Sequence, residues 1–467
     1  MRVSDIIKGS SAEILHGDAA VEVSSICCDS RKATAGSLFI AVGGTSADGK
    51  AFVADAVSKG AAAAVSTDRE GLARMADIFF GHPSGKLKTV GITGTNGKTT
   101  TVTLLYNLFR SMGYECGLLS TIANFVGTRR LETANTTADP VTINSLMSEM
   151  VEAGCEYCFM EVSSIGVEQH RTDFLEFSVG IFSNLTHDHL DYHGTFAEYI
   201  RCKKLFFDNL PQSAVAIINA DDRNGLVMVQ NTKARVETYS ARSLADHSCK
   251  IVEQSMEGML LRLDGTEVWT RLIGEHNAYN ILAIYSAALA LGADRQETLV
   301  ALSALESAKG RLETISGPSG KTIVIDYAHT PDALENVLNA LRAVEPGKEL
   351  VCVFGCGGDR DRTKRPEMAA IAEKLADRIF VTSDNSRSER TEDIIAEICA
   401  GFSPSGRAKA ICISDRKEAI RAAITLSGDG ATILLAGKGH ETYQITGTEK
   451  LHFDEREVVA EIFSQIQ

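Results

Sequence analysis

The stretch GITGTNGKTT, residues 91–100, constrains the fold more than any other part of the chain. An apolar run, KLKTVGIT, precedes it. A segment with Val102, Leu105, Leu108 and Met112 at helical spacing follows it. Strand, glycine loop and helix N-terminus in succession aim several backbone N–H groups at one anion. The loop departs from the usual phosphate-loop spacing, Gly-x-x-x-x-Gly-Lys-Ser/Thr. Gly97, Lys98 and Thr99 supply its end, but the first glycine should fall at position 92, which is Ile92. Gly91 stands one place early and Gly94 two places late. Lys98 is expected to reach the β/γ-phosphates of a nucleotide, and Thr99 or Thr100 to offer a hydroxyl to Mg²⁺. A strand-to-helix turn without a ligand is the alternative.

Around the loop the chain reads as α/β. YCFMEV, SVGIFSNL and AVAIINAD are further apolar runs separated by helical stretches, the pattern of a parallel sheet. A chain of 467 residues suggests about three domains. Residues 1–86 form a small mixed domain with a strand SLFIAV, an Ala-rich helix ending at Gly60 and a turn-rich linker, GHPSGK. Residues 87–314 form the central domain. Residues 315–467, opening near GPSG, form a third α/β domain with strands in KTIVIDYAH, ELVCVFGCGGDRD, DRIFVTSDNSR and ATILLAGKGHE. GCGGDR is not a dinucleotide fingerprint, because its third glycine would fall at Arg360.

A net charge of −14 argues against a nucleic-acid or anionic-membrane partner. No apolar run is long enough to span a bilayer, and MRVSDIIKGS lacks a signal core. Eleven scattered cysteines fit a reducing compartment, so a cytoplasmic chain is expected. The lone CEYC pair reads as small buried hydrophobes.

Several polar clusters follow strands. Glu161 ends YCFMEV, where a second Mg²⁺ ligand would sit or a carboxylate would be solvated. NLTHDHLDYHG gathers His187, Asp188, His189, Asp191 and His193. That density suggests a metal or phosphate site, with a hard oxygen-liganded ion favoured over zinc, and loop-capping polar residues are the alternative. RCKKLFF starts a helix with paired lysines, by itself a charged face. Asn277 and Asn280 in GEHNAYN lie one turn apart and suit an adenine edge or a helix cap. Arg387 in SDNSR can grip a carboxylate, and Glu441 in GKGHE can hold an ammonium, which together suggest a zwitterionic amino-acid pocket, with surface turns as the alternative.

These motifs together resemble the Mur ligase family of peptidoglycan synthesis, over nearly the whole chain. GTNGKTT is similar to the family's own form of the phosphate loop, and this resemblance resolves the odd spacing. It implies three domains: a uridine-binding N-terminal domain, a central P-loop-like ATPase domain and a Rossmann-like C-terminal domain. The implied activity is an ATP-dependent amide ligase, with ATP and Mg²⁺, that adds meso-diaminopimelate to UDP-MurNAc-L-Ala-D-Glu through an acyl phosphate. A monomer is expected. An L-lysine-adding ligase, a folylpolyglutamate-type ligase and a non-catalytic nucleotide sensor are the alternatives; the uridine-type first domain and NTTADP argue against the folylpolyglutamate type.

The resemblance also assigns residues. Gly94, Thr95, Asn96, Gly97, Lys98, Thr99 and Thr100 are matched to ATP, with Asn277, Asn280, Asp326 and His329. Arg311, in KGRLE, is matched to ATP at the hinge before the last domain. Ser30 in CDSRKATAG is the matching uridine contact, while Thr136 and Thr137 of NTTADP and Ser163, Gln169 and Arg171 of EVSSIGVEQHR contact the UDP-substrate. Thr99, Glu161, His189 and Lys203 are the implied metal ligands, Lys203 as a carbamate (N6-carboxylysine), with Lys204 as the register-slip alternative. Lys98, Lys203, His189 and Glu161 are the implied catalytic set. Arg360, Asp384, Asn385, Arg387, Gly437 and Glu441 match diaminopimelate contacts. The chain departs from the family in having Ile165-Gly166 where His-Ala or His-Gly is usual, and Ser386 for the proline of Asp-Asn-Pro-Arg.

Overall fold

The computed structural model describes residues 1–43, 48–133, 135–186 and 190–466. Among the described residues three large sheets and one two-stranded hairpin carry the fold.

The first has four strands, ordered Glu13–His16, Ala63–Thr67, Ser37–Val42 and Ser25–Cys27. Only its Glu13–His16 edge is antiparallel. SLFIAV forms its strand as read, because a run buried on both faces has no polar side to show. The Ala-rich helix ends two residues before Gly60: a 3₁₀ turn, Gly49–Phe52, leads into Val53–Ser58. GHPSGK forms an ordered turn. Pro83–Lys86 is a 3₁₀ turn with Pro83 and Ser84 buried, and Ser84 Oγ accepts from Glu176 N at 3.0 Å.

The second sheet has eleven strands. The four read from the sequence sit side by side at its centre, in the order Val215–Asn219, Val179–Phe182, Lys88–Thr93, Tyr157–Glu161, all parallel. Antiparallel strands extend both ends, including His247–Ser255 with Gly258–Leu263 and Thr266–Thr270. The helices Lys98–Ser111 and Glu275–Ala290 cover one face in a single apolar core.

The third sheet has six strands, ordered Glu313–Ser316, Thr322–Asp326, Thr432–Ala436, Leu350–Phe354, Arg378–Val381 and Ala410–Cys412. Separate apolar cores fill its two faces, as in a doubly wound fold. Its first strand, Glu313–Ser316, pairs with Thr322–Asp326 and straddles the boundary placed between residues 314 and 315. A hairpin, Tyr443–Thr446 with Glu449–His452, follows the GKGHE loop.

Candidate active site

The strand Lys88–Thr93 runs straight through Ile92, which is wholly buried in the sheet. Position 92 therefore lies inside the strand, and the glycines are needed later. Gly94 has φ 151° and Gly97 has φ 88°. A Cβ at Gly94 would lie 2.0 Å from Ser183 Oγ, and one at Gly97 would lie 2.5 Å from Asn280 Oδ1. The loop is strapped to the next strand end: Thr95 N donates to Asn184 O at 2.8 Å and Asn96 N to Asn184 Oδ1 at 2.9 Å. Lys98 Nζ donates to Gly94 O and Thr95 O, each at 2.8 Å.

Parallel pairing sets Glu161 in register with Ile92. The carboxylate therefore stands beside the loop, where Thr99 Oγ1 donates to Glu161 Oε2 at 3.0 Å and Thr121 N to Oε1 at 2.8 Å. Thr121 also bonds Thr136 at 3.1 Å. Thr137 Oγ1 donates to Glu161 O at 2.9 Å and accepts from Ser163 N at 3.0 Å, while Arg171 donates to Thr137 O at 2.6 Å. Ser163 caps the next helix through Gly166 N at 3.0 Å. A Cβ at Gly166 would come within 2.8 Å of Thr137, so the glycine lets these two motifs close on each other.

Lys203 projects from the helix Phe196–Asp208 and is only 1% exposed. Its Nζ also donates to Gly94 O at 2.8 Å, and it lies 4.7 Å from the Tyr199 ring. Lys204 points elsewhere, to Asp208 at 2.6 Å.

Lys98, Thr99, Thr136, Thr137, Glu161, Ser163, Arg171 and Lys203 line one cavity of about 370 Å³, which Tyr327, His329 and Arg360 of the third domain complete. Gln169 is not in its lining; it orients Arg171 by accepting at 2.7 Å and donates to Tyr192 Oη at 2.8 Å. Among the described residues no three His, Cys, Asp or Glu side chains cluster as metal ligands. His189, with His187 and Asp188, lies outside the described residues. The Thr99 hydroxyl and Glu161 carboxylate are hard oxygen donors, which suit Mg²⁺ rather than zinc.

On the other side of the loop, a cavity of about 350 Å³ is lined by Asn96, Gly97, Thr100, Asn277, Asn280, Arg311 and Asp326, among others. Asn280 Nδ2 donates to Asn277 Oδ1 at 3.0 Å, and Asn277 Nδ2 to Ile273 O at 2.9 Å. Asn277 thus secures the helix start while both amides line the cavity. Asp326 accepts from Leu312 N and Ala328 N, and burial raises its carboxyl pKa against the opposing pull of Arg311. His329 lies apart from this cavity and lines the two others.

Sequence reading passed over Asn184, which straps the loop, and His276, whose pKa burial pushes down to about 4. It also missed Asp332. That residue accepts from Asn96 Nδ2 at 2.6 Å and ties the loop to the third domain. A lone Asn or Asp carries no periodic signal.

A third cavity, about 400 Å³, lies at the carboxyl ends of the third sheet's strands, lined by Arg360, Asp384, Asn385, Arg387, Gly437 and Glu441. It shares Ile165, Tyr327, His329 and Arg360 with the phosphate-loop cavity. The unusual Ile165 therefore places an apolar side chain at the junction of the two. Arg387 has φ 51° and donates to Gly358 O at 2.8 Å. Ser386 is buried, and its Oγ has no partner among the described residues.

Ser30 sits apart, buried in the 3₁₀ turn Ser30–Lys32 that Asp29 caps. It is not in the lining of the first domain's groove, which includes Lys50, Arg69, Glu168 and His170.

The fold and the glycine loop define a multidomain α/β protein of the phosphate-loop type. Comparison with known proteins narrows this. The chain matches "Mur ligase family, catalytic domain" over residues 22–95, "Mur ligase middle domain" over 92–289, and "Mur ligase, glutamate ligase domain" over 310–439. It is 49% identical to the UDP-N-acetylmuramoyl-L-alanyl-D-glutamate--2,6-diaminopimelate ligase of Parabacteroides distasonis, with 100% of both chains covered. A solved structure of a ligase with the same name is 30% identical, with TM-score 0.70, covering 100% of this chain and 99% of that one. The MurF ligase of Thermotoga maritima in complex with ADP shares the fold at 20% identity and TM-score 0.67, covering 95% of this chain and 98% of that one. The chain belongs to the Mur ligase family.

Proposed function

We propose that this chain is an ATP-dependent amide ligase that joins meso-diaminopimelate to the D-Glu γ-carboxylate of UDP-MurNAc-L-Ala-D-Glu in peptidoglycan precursor synthesis. One observation carries the reading. The cavity holding Lys98, Thr99, Glu161 and Lys203 adjoins the pocket holding Asn385, Arg387 and Glu441, and the two share Tyr327, His329 and Arg360 in their linings. A phosphoryl donor and an amine acceptor can therefore meet at one carboxylate.

A carboxylate expels oxide too poorly to form an amide directly. The γ-phosphoryl of ATP moves to the D-Glu carboxylate oxygen, breaking its bond to ADP and forming an acyl phosphate. Lys98 and the loop N–H groups offset the charge on the moving phosphoryl, so catalysis here is mainly positioning and electrostatics. The neutral substrate amine then attacks the acyl carbon, phosphate leaves with the mixed-anhydride oxygen, and the proton lost from nitrogen passes to the departing phosphate or to solvent. Thr99, Glu161 and a carbamylated Lys203 would hold Mg²⁺, which supplies countercharge to the phosphates when bound. Arg171, held by Gln169, and the Thr136–Thr137 turn border the same space and would orient the muramoyl peptide. The third domain's side chains in this cavity would help exclude water, which otherwise hydrolyses the acyl phosphate.

All 11 cysteines are free thiols, which suits a reducing cytoplasm, where we place the enzyme as a monomer. The test is a panel of amino acids with UDP-MurNAc-L-Ala-D-Glu and ATP. ADP release is expected with meso-diaminopimelate and at most weakly with lysine. ATP binding without any substrate-dependent turnover would instead identify a sensor.

Ser30 contributes binding on this reading, not chemistry. Ser30→Ala is expected to raise KM for the UDP-substrate by about 3- to 10-fold, the worth of one hydrogen bond, with kcat little changed. A large fall in kcat at unchanged KM in steady-state assays would contradict it.

A further inference from the structure

Lys438 lies in the loop after the strand Thr432–Ala436 and is 0% exposed. Its Nζ is 3.2 Å from Asn385 Oδ1, 3.2 Å from Glu441 Oε2 and 3.5 Å from Asp384 Oδ1. The Tyr443 ring stands 5.9 Å away. Lys438 does not line the amino-acid pocket, but all three of its polar partners do. A wholly buried ammonium is costly unless its charge and its donors are both answered. Here the partners that answer it are the side chains a substrate would meet.

Two consequences follow from this placement. Asn385 Oδ1 accepts from Lys438 and from Ile445 N at 2.9 Å, which settles the amide orientation and sends Nδ2 to Glu441 Oε2 at 3.0 Å. Asp384 and Glu441 are also two carboxylates in one buried space. Burial pushes the Glu441 pKa up and Lys438 opposes that rise. For Asp384, burial is outweighed by Lys438 and Arg416, which hold it below the usual range. The buried ammonium thus stands behind two carboxylates that face the pocket, where an incoming ammonium would meet them.

We propose that Lys438 is a positioning residue for the amino-acid substrate. It fixes the Asn385 amide and holds the Asp384 and Glu441 side chains in place for the substrate's ammonium, without touching the substrate itself. The inference rests on the pocket's assignment under the proposed function, and the test separates the two.

Lys438→Ala and Lys438→Met are made in the full-length enzyme and assayed with ATP and UDP-MurNAc-L-Ala-D-Glu in turn. KM for diaminopimelate is expected to rise about 10- to 100-fold, the scale of charge-assisted hydrogen bonds. KM for ATP and for the UDP-substrate should stay near the wild-type values, which also reports that the variants are folded. Added ethylammonium should lower the raised KM of the alanine variant by filling the vacated space. It should not help the methionine variant, whose side chain fills that space. Unchanged KM for diaminopimelate in folded variants, or a raised KM that ethylammonium leaves untouched, overturns the role. If neither variant folds, Lys438→Arg decides: it keeps the charge but cannot reproduce three point contacts. A raised KM for diaminopimelate alone then supports the role, and an unchanged one overturns it. A wild-type enzyme indifferent to diaminopimelate overturns the proposed function, whereas normal wild-type use with unaffected variants removes only the role of Lys438.

Discussion

Lys203→Ala is expected to lower kcat by about 10²- to 10³-fold, the loss seen when one preorganised charge-stabilising group is removed. The geometry gives the reason. Lys203 Nζ and Lys98 Nζ both donate to Gly94 O at 2.8 Å, so the two nitrogens lie within twice that distance of each other. Two ammonium groups about 5 Å apart at an effective dielectric of about 20 repel by about 3 kcal/mol. A divalent cation at Thr99 and Glu161 would add to that repulsion. Conversion of the Lys203 amine to a carbamate reverses its sign, turning repulsion from Lys98 into attraction and giving the cavity another oxygen donor beside Glu161. Formate or acetate at millimolar concentration should restore part of the activity of Lys203→Ala, by placing a small anion in the vacated space. Lys204→Ala should remain near wild type, because Lys204 pairs with Asp208 at 2.6 Å, away from the loop. Intact-mass measurement of the wild type in bicarbonate should show the added carbamate. Normal turnover of Lys203→Ala, or loss of activity in Lys204→Ala alone, would sink the assignment.

The sequence made the middle of each large sheet legible and its margins obscure. The strands Tyr157–Glu161 and Val215–Asn219 are buried along their whole length, so each appears as an unbroken apolar run. His247–Ser255, toward the sheet's edge, is mostly half-exposed or exposed and carries no comparable run. The glycine loop was visible because its neighbours in sequence are its neighbours in space. The Thr99–Glu161 contact joins residues 62 positions apart through the pairing of adjacent parallel strands, so the sequence could offer Glu161 only as one reading of a strand-end carboxylate. Ile92, which breaks the usual loop spacing, is the register partner of Glu161. The departure from the pattern and the placing of the carboxylate therefore belong to the same strand pair. Asn184, Asp332 and Lys438 could not be seen at all. Each is a single polar residue whose meaning comes from groups on other strands or in another domain.

Arg387→Ala is expected to reduce kcat/KM for meso-diaminopimelate by about 2–4 kcal/mol, or ~30- to ~1000-fold, while the weak activity on lysine changes little. Diaminopimelate carries a carboxylate at its far end that lysine lacks, and a guanidinium fork is the side chain best shaped to take it. Arg387 is half-buried in the free pocket, so the effect should fall short of that for a fully enclosed ion pair. The replacement of the motif's proline by Ser386 removes a rigid turn just before this arginine. Backbone contacts hold the arginine instead. Arg387 N donates to Ile445 O at 3.3 Å, Gly447 N donates to Arg387 O at 2.8 Å, and the hairpin Tyr443–Thr446 thereby grips both sides of the residue. That grip sustains a φ of 51°, a conformation costing an ordinary side chain about 1 kcal/mol or more. The guanidinium is further anchored on Gly358 O at 2.8 Å, so its orientation is set before substrate arrives. With lysine bound, no carboxylate meets the guanidinium, and a half-buried charge stays unanswered; this is the physical basis of rejection. The decisive measurement is kcat/KM for both amino acids in wild type and Arg387→Ala. A wild type that prefers lysine, or a variant impaired equally on both, would show that Arg387 does not read the distal carboxylate.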